Sequence, residues 1–162
     1  MERRHGRLPT TEELRIWRDF VETTERLRSE LASRLQGDSG LSTGDYAVLL
    51  ALQEAEGHQL RSSELAAAVG WERSRLSHHL GRMERRGLIR RVECATDNRG
   101  AEVVLTAEGA QGFRRATLPH LKAVRELFVD PLTAQQLAAA GEIAEALRGR
   151  LDAPGTDSPG AS

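Results

Sequence analysis

The sequence has few of the residues that mark several common protein classes. A single cysteine, Cys94, excludes an intramolecular disulfide and a cysteine-based metal cluster, and it fits a reducing compartment. Aromatic residues make up 4% of the chain, so the predicted core consists mainly of Leu, Ala and Val. No apolar run approaches the length of a membrane span, and the N-terminus lacks the apolar segment of a signal peptide. A cytoplasmic protein with no membrane partner is therefore expected.

The motifs of common enzyme classes are also missing. The chain has no phosphate-binding glycine loop, no nucleophile elbow, no HExxH and no CxxC. The neighbouring His78 and His79 would point about 100° apart on a helix, so they do not chelate one metal ion together. We therefore expect no enzyme activity, no catalytic residue, no metal site and no cofactor.

Positive charge is concentrated in the middle of the chain. Residues 61–99 contain nine arginines and five acidic residues, an excess of four positive charges. Because the whole chain has a net charge of −1, the remainder carries −5. A basic stretch between acidic flanks is typical of a nucleic-acid surface on an otherwise ordinary protein.

Long helical segments flank this basic stretch. The first covers about residues 12–36, and its apolar residues occupy more than one narrow stripe, which suits contact with two surfaces. Residues 37–40 have the composition of a loop, and the capping box of Ser42 and Asp45 then predicts a helix from Thr43 to Glu56 that buries Tyr46, Ala47, Leu49 and Leu50. In the segment after residue 106, Pro119 is expected to kink or break the helix. The last helix opens with a capping box of Thr133 and Gln136. It repeats apolar residues at alternating spacings of three and four, which is typical of a helix that packs against a partner helix.

The basic stretch contains a helix-turn-helix pattern. A short helix from Glu64 to Val69, a turn at Gly70 and a second helix that begins near Glu72 or Arg73 follow one another directly. Apolar side chains at i, i+4 and i+7 predict the buried face of the second helix: Leu76, Leu80 and Met83. Residues 89–94 and 101–106 then predict two strands joined by a projecting tip.

The outer face of the second helix has side chains that suit DNA. A major groove admits one α-helix, and arginine is the usual bidentate partner of guanine. The N-termini at Ser63 and Arg73 present free N–H groups to phosphates. Arg99 on the tip is placed to enter a narrow minor groove, where Asp97 would orient it. The predicted outer face consists of Ser74, Arg75, Ser77, His78, His79 and Arg82.

The order of these elements resembles the MarR family of winged-helix transcription regulators over about residues 12–151. The residues that carry the resemblance are 62–66 (SSELA), 74–77 (SRLS), 82–89 (RMERRGLI), 97–100 (DNRG) and 105–109 (LTAEG). The resemblance implies an obligate homodimer on a pseudo-palindromic operator, released by a small ligand or an oxidant. Many members carry an arginine where this chain has His78.

The fold predicted from both arguments is mainly α with a small antiparallel β wing. A winged helix-turn-helix DNA-binding lobe would be joined to a helical dimerisation lobe. The predicted segments are a flexible arm (1–11), an N-terminal dimerisation helix (12–36), the DNA-binding lobe (41–106), C-terminal dimerisation helices (107–151) and a disordered tail (152–162).

How the regulator would be controlled stays open at this point. The resemblance places ligand pockets between the dimer helices and the DNA lobe, which makes Trp17, Phe20, Tyr46 and His120 candidates; core packing is the alternative for the aromatic residues. Cys94 is a candidate redox switch or a plain strand residue. A winged helix that binds another protein instead of DNA is the competing functional class, and a repressor relieved by a small molecule is the favoured one.

Overall fold

The computed structural model describes residues 8–93 and 101–153, and it contains six α-helices and three strands in those ranges. The helices are α1 (Thr11–Ser39), α2 (Thr43–Glu54), α3 (Ser62–Val69), α4 (Arg73–Arg85), α5 (Ala107–Val124) and α6 (Ala134–Leu151). The strands are β1 (Gln59–Arg61), β2 (Ile89–Glu93) and β3 (Ala101–Leu105). The chain divides into two compact units between Ala123 and Val124. The predicted mainly α fold with a small antiparallel β wing is confirmed.

The three strands form one antiparallel sheet in the order β1-β3-β2. β3 is central: Leu60 of β1 and Arg91 of β2 both pair with Val103. Val103 is fully buried, so the sheet contributes its middle strand to the core. The predicted hairpin tip, with Cys94, Asp97 and Arg99, lies outside the described residues, as do residues 1–7 of the predicted arm and 154–162 of the predicted tail.

The core of the first unit is built mainly from aliphatic side chains of α2, α3, α4, β2 and β3, and α1 and α5 also contribute to it. The largest fully buried side chains include those of the predicted inner face of α4. Each buried leucine of this kind stabilises the fold by about 1.5–3 kcal/mol relative to an exposed one. Fully buried side chains on and around α4 include Val48, Leu49, Leu52, Leu65, Leu76, Leu80, Met83 and Ile89.

Helix α1 is longer than the sequence predicts. Its N-cap is Thr10, whose hydroxyl accepts from the Glu13 N–H, as expected for a helix that begins at this point. The predicted loop over residues 37–40 is wrong, because the helix continues to Ser39. Gly40 ends it with a left-handed conformation (φ 69°) and donates its N–H to the Gln36 carbonyl.

Helix α2 begins with the predicted capping box. The Asp45 N–H donates to Ser42 Oγ, and the Ser42 N–H donates to Asp45 Oδ2. The helix ends at Glu54 rather than at the predicted Glu56, and a 3-10 turn over Glu56–His58 follows it. The prediction that Leu50 is buried is wrong, since it is 36% exposed.

Pro119 does not break helix α5, which continues through it to Val124. In the second unit, residues Arg125–Val129 form a π-helical turn, in which the Asp130 N–H donates to the Arg125 carbonyl at 2.8 Å. α6 then begins with the predicted capping box of Thr133 and Gln136. Within the described ranges, none of the helices combines the length and the apolar character that a membrane crossing needs.

Candidate nucleic-acid interface

Helix α4 has one face in the core and one face in solvent. Leu76, Leu80 and Met83 are buried on the inner side, as predicted. The turn before the helix is fixed by Gly70 (φ 67°) and by a hydrogen bond from the Trp71 N–H to the Ala66 carbonyl. The outer side is exposed at Ser74, Arg75, Ser77, His78 and Arg82, and so is Arg73 at the start of the helix. The face that the sequence assigned to DNA is therefore free to be contacted, with one exception.

The exception is His79, whose predicted place on the exposed face is wrong. Only 8% of this residue is accessible to solvent. It lies at the border between the two faces of α4 and packs against the N-terminal end of α2. Its ring also meets the ring of Trp71, in the turn before α4, edge-on with the ring centres 5.1 Å apart. The helical period places His79 next to the apolar stripe, and the neighbouring helix covers it.

Gly44 makes this close packing possible. A Cβ atom at this position would lie 2.8 Å from the Trp71 ring and 2.9 Å from His79 Cε1, closer than packed carbon atoms approach. Because glycine has no side chain, the first turn of α2 can lie directly against the indole and imidazole rings.

Asp45 of α2 is a buried carboxylate that lies between His79 of α4 and Arg86, the residue that follows α4. Its side chain is only 4% exposed; Oδ2 accepts from Arg86 Nη1 at 2.7 Å, and Oδ1 lies 3.0 Å from His79 Nε2. The latter approach is close but does not have the orientation of a well-formed hydrogen bond. Burial opposes the ionisation of Asp45, but hydrogen bonds from Ser42 and Arg86 outweigh it and hold the pKa of Asp45 below its usual range.

Arg82 lies on the outer face of α4, and its guanidinium contacts one exposed and one buried histidine. Its Nη2 lies 2.8 Å from His79 Nδ1, and its Nη1 lies 3.1 Å from His78 Nδ1. A guanidinium group only donates hydrogen bonds, so we assign Nδ1 of both histidines as the acceptor. Burial, together with the charges of Arg82 and Arg75, lowers the pKa of His79 against the opposing effect of Asp45.

Arg75 is supported by an aromatic ring. Its guanidinium carbon lies 4.4 Å from the centre of the Trp71 ring, a cation–π contact that restrains the arginine next to Arg82. Sequence reasoning identified both arginines but missed Gly44, Asp45 and Trp71. Asp45 was visible only as a capping residue, and the tryptophan at the start of the second helix was the one available signal of a ring beneath Arg75.

Of the remaining predicted DNA contacts, Asp97 and Arg99 lie outside the described residues, and Ser63 lies within them. Ser63 is exposed in the first turn of α3. Its neighbour Ser62 instead donates its hydroxyl to the Ala101 carbonyl and so joins α3 to β3. Arg91 of β2 pairs with Glu84 of α4 at 2.7 Å, which lowers the pKa of Glu84 and connects the sheet to the helix.

Two of the four predicted ligand residues are brought together in the first unit. The rings of Tyr46 and His120 lie 4.8 Å apart, and the Tyr46 ring also packs against Phe113 at 5.1 Å. Burial lowers the pKa of His120, and its Nδ1 is buried without a hydrogen-bond partner among the described residues. Trp17 and Phe20 lie instead on the exposed side of α1, where they are 61% and 47% exposed.

Comparison with known proteins agrees with this architecture. A model of the MarR family matches residues 39–100. The transcriptional regulator HosA of Escherichia coli is 33% identical over 117 residues, which cover 72% of this chain and 79% of HosA. Two other curated relatives are more distant, at 26% and 27% identity, and this chain spans 64% of the length of each.

Solved structures extend the similarity to nearly the whole chain. AbsC of Streptomyces coelicolor, a MarR family transcriptional regulator, has 38% sequence identity and a TM-score of 0.79, with 89% of this chain and 99% of AbsC covered. Sco3205 of the same organism, solved in complex with DNA, has 36% identity and a TM-score of 0.87, with 96% and 98% covered. The matched proteins are regulators rather than enzymes, which agrees with the prediction that the chain is not an enzyme. The chain therefore belongs to the MarR family of transcriptional regulators.

Proposed function

We propose that this chain regulates transcription by binding double-stranded DNA, with the outer face of α4 in the major groove. The observation that carries the proposal is the division of α4 into a fully packed inner face and an exposed face that presents Arg75 and Arg82 on one side of the helix, two turns apart. An α-helix fits the major groove, and arginine pairs there with guanine. The Sco3205 structure, a complex with DNA at 36% identity, supports the same use of this fold.

The other predicted contacts would position the protein on the DNA backbone. Ser63 and Arg73 lie in the first turns of α3 and α4, where free N–H groups favour phosphates. Arg99, oriented by Asp97, would enter the minor groove. The complete proposed DNA surface consists of Ser63, Arg73, Ser74, Arg75, Ser77, His78, Arg82, Asp97 and Arg99.

The functional unit that we propose is a homodimer. α1 leaves apolar side chains in solvent, among them Ile16, Trp17 and Phe20, and α6 does the same with Leu147 and Leu151. Exposed apolar side chains in such numbers mark an interaction surface. Two copies would place their α4 helices about one DNA turn apart, roughly 34–36 Å, on a pseudo-palindromic operator.

Control by a small molecule is the second part of the proposal. The Tyr46–His120 pair supplies an aromatic wall and an unpartnered buried nitrogen, features that ligand sites combine. We propose that a ligand at this place relieves repression in the cytoplasm. Redox control through Cys94 is the alternative form of regulation.

The test of DNA binding is a selection from random double-stranded DNA with the purified full chain. We expect enrichment of a two-fold symmetric site, and an affinity that falls steeply as salt rises, because phosphate contacts release counterions. If no sequence is enriched and binding to random duplexes is absent at low salt, the winged helix does not bind DNA, and a protein-binding role takes its place.

A further inference from the structure

The conformation of Arg82 is set by two histidines rather than by solvent. Its two terminal nitrogens lie 3.1 Å from His78 Nδ1 and 2.8 Å from His79 Nδ1. A guanidinium has five N–H donors, so this arrangement leaves the others free for a ligand. Arg82 therefore reaches the proposed DNA surface already restrained.

The buried histidine, His79, is itself held by contacts on the side away from Arg82. Asp45 of α2 lies against its Nε2, Trp71 packs on its ring, and Gly44 leaves just enough space for both rings. Asp45 is in turn held by Arg86, which also donates Nη2 to the Gly40 carbonyl. Contacts that run from the end of α1 through α2 thus end on one exposed arginine of α4.

We propose that His79 and Asp45 are positioning residues for DNA binding, which hold Arg82 in the conformation that contacts DNA and release it when His79 gains a proton. The inference rests on the proposed function. Neutral His79 offers Nδ1 as an acceptor to Arg82. The imidazolium form carries a hydrogen on both nitrogens, so it would direct a donor and a positive charge at the guanidinium.

The charged groups around His79 determine where this change occurs. From α2, Asp45 favours the protonated ring; from α4, Arg82 and Arg75 oppose it, and His78 lies beside Arg82 as its second acceptor; Trp71 in the turn carries no charge. Burial adds to the effect of the arginines. Because the pKa of His79 lies below the ordinary histidine value of about 6.5, the neutral form holds at neutral pH and is lost only on acidification below that value.

Two substitutions of His79 separate its two contacts. His79→Asn places an amide oxygen near the position of Nδ1 and keeps the acceptor for Arg82. His79→Gln reaches the position of Nε2, keeps a donor for Asp45 and loses that acceptor. Neither side chain titrates. Releasing one long side chain costs binding about threefold to tenfold, so His79→Gln should bind that much more weakly than wild type at pH 7.5, while His79→Asn stays within about twofold.

The probe is the duplex recovered from the random-DNA selection, with affinity measured between pH 8 and pH 5. Wild type and His58→Asn, a control at an exposed histidine with φ 55°, should lose about threefold to tenfold on acidification relative to His79→Asn. His78→Asn should keep that additional loss, because it leaves the His79 ring and its contact with Arg82 in place. Thermal unfolding by circular dichroism establishes that each variant is folded at the temperature of measurement.

A measurement on the wild-type chain needs no variant and no DNA. Long-range proton–nitrogen correlation of the imidazole rings should show His79 with its proton on Nε2 at pH 7.5; a proton on Nδ1 would overturn the inference. If wild type binds the duplex and both His79 variants match it at every pH, the inference is wrong and the proposed function stands. If wild type binds no duplex, the proposed function fails and this inference fails with it.

Discussion

Helices α1 and α4 are both amphipathic, but they leave opposite kinds of surface in solvent. α4 buries Leu76, Leu80 and Met83 completely and exposes arginine, serine and histidine. α1 buries only Leu35 and leaves Trp17 and Phe20 exposed. A completed inner face with a basic outer face suits a polyanion, whereas an uncovered apolar face suits another protein surface. One chain thus presents two surfaces of different chemistry.

The largest effect is expected on the basic face of α4. Arg75→Ala combined with Arg82→Ala should weaken binding to the selected duplex by about 100-fold or more, since each arginine contact to a base contributes roughly 1–3 kcal/mol. The measurement is fluorescence anisotropy at fixed salt. Arg26→Ala with Arg148→Ala removes the same charge from α1 and α6 and should bind nearly as wild type. Equal loss in both double variants would show that only net charge matters.

The role of the apolar face of α1 can also be tested by alanine substitution. Trp17→Ala with Phe20→Ala should weaken the dimer by about 3 kcal/mol, because buried aromatic side chains dominate interface energies. Sedimentation equilibrium would then detect monomer at concentrations where wild type is dimeric. Glu22→Ala, an exposed position on the opposite side of the same helix, is the matched control. A wild-type chain that is monomeric at micromolar concentration contradicts this half of the comparison.

The anchoring of α4 depends on a single buried carboxylate. Asp45→Ala removes the carboxylate that accepts from the Ser42 N–H in the capping box and from Arg86, and should lower the free energy of unfolding by about 2 kcal/mol. Chemical denaturation followed by circular dichroism measures it. Glu25→Ala removes an exposed carboxylate from an ion pair of α1 and should leave stability close to wild type. Similar losses in the two variants would contradict the role of Asp45.

Two glycines sharpen the contrast between the packed lobe and α1. A Cβ at Gly109 would overlap the Leu88 carbonyl, whereas a Cβ at Gly37 meets nothing within 4 Å. Gly109→Ala should therefore destabilise the protein by about 1–3 kcal/mol. Gly37→Ala should stabilise it by about 0.5 kcal/mol through helix propensity. The two thermal unfolding midpoints should shift in opposite directions; a shared direction would refute the packing difference.

Local patterns predicted much of this fold. The i, i+4, i+7 spacing of Leu76, Leu80 and Met83 identified the buried side of α4, and the capping boxes at Ser42 and Thr133 identified the starts of α2 and α6. Each of these features depends on residues within two helical turns of one another. Short sequence patterns are therefore sufficient to predict where these helices begin and which side of α4 is buried.

What the sequence did not predict depends on packing between distant residues. The helical period places His79 beside the apolar stripe of α4 but does not bury it; the approach of Gly44 and Asp45, more than thirty residues earlier, does. Glycine composition predicted a loop at residues 37–40, but only Gly40 leaves the helix. Pro119 is tolerated inside α5, which a rule about isolated helices does not anticipate.

The central claim is that α4 of each subunit lies in a major groove. Protection of guanine N7 from dimethyl sulfate on the selected duplex tests it most directly, because N7 is accessible only from that groove. We expect two protected clusters centred about 10 base pairs apart, both lost in the Arg75→Ala and Arg82→Ala double variant. Unprotected guanines on a duplex that the protein binds tightly would contradict the account.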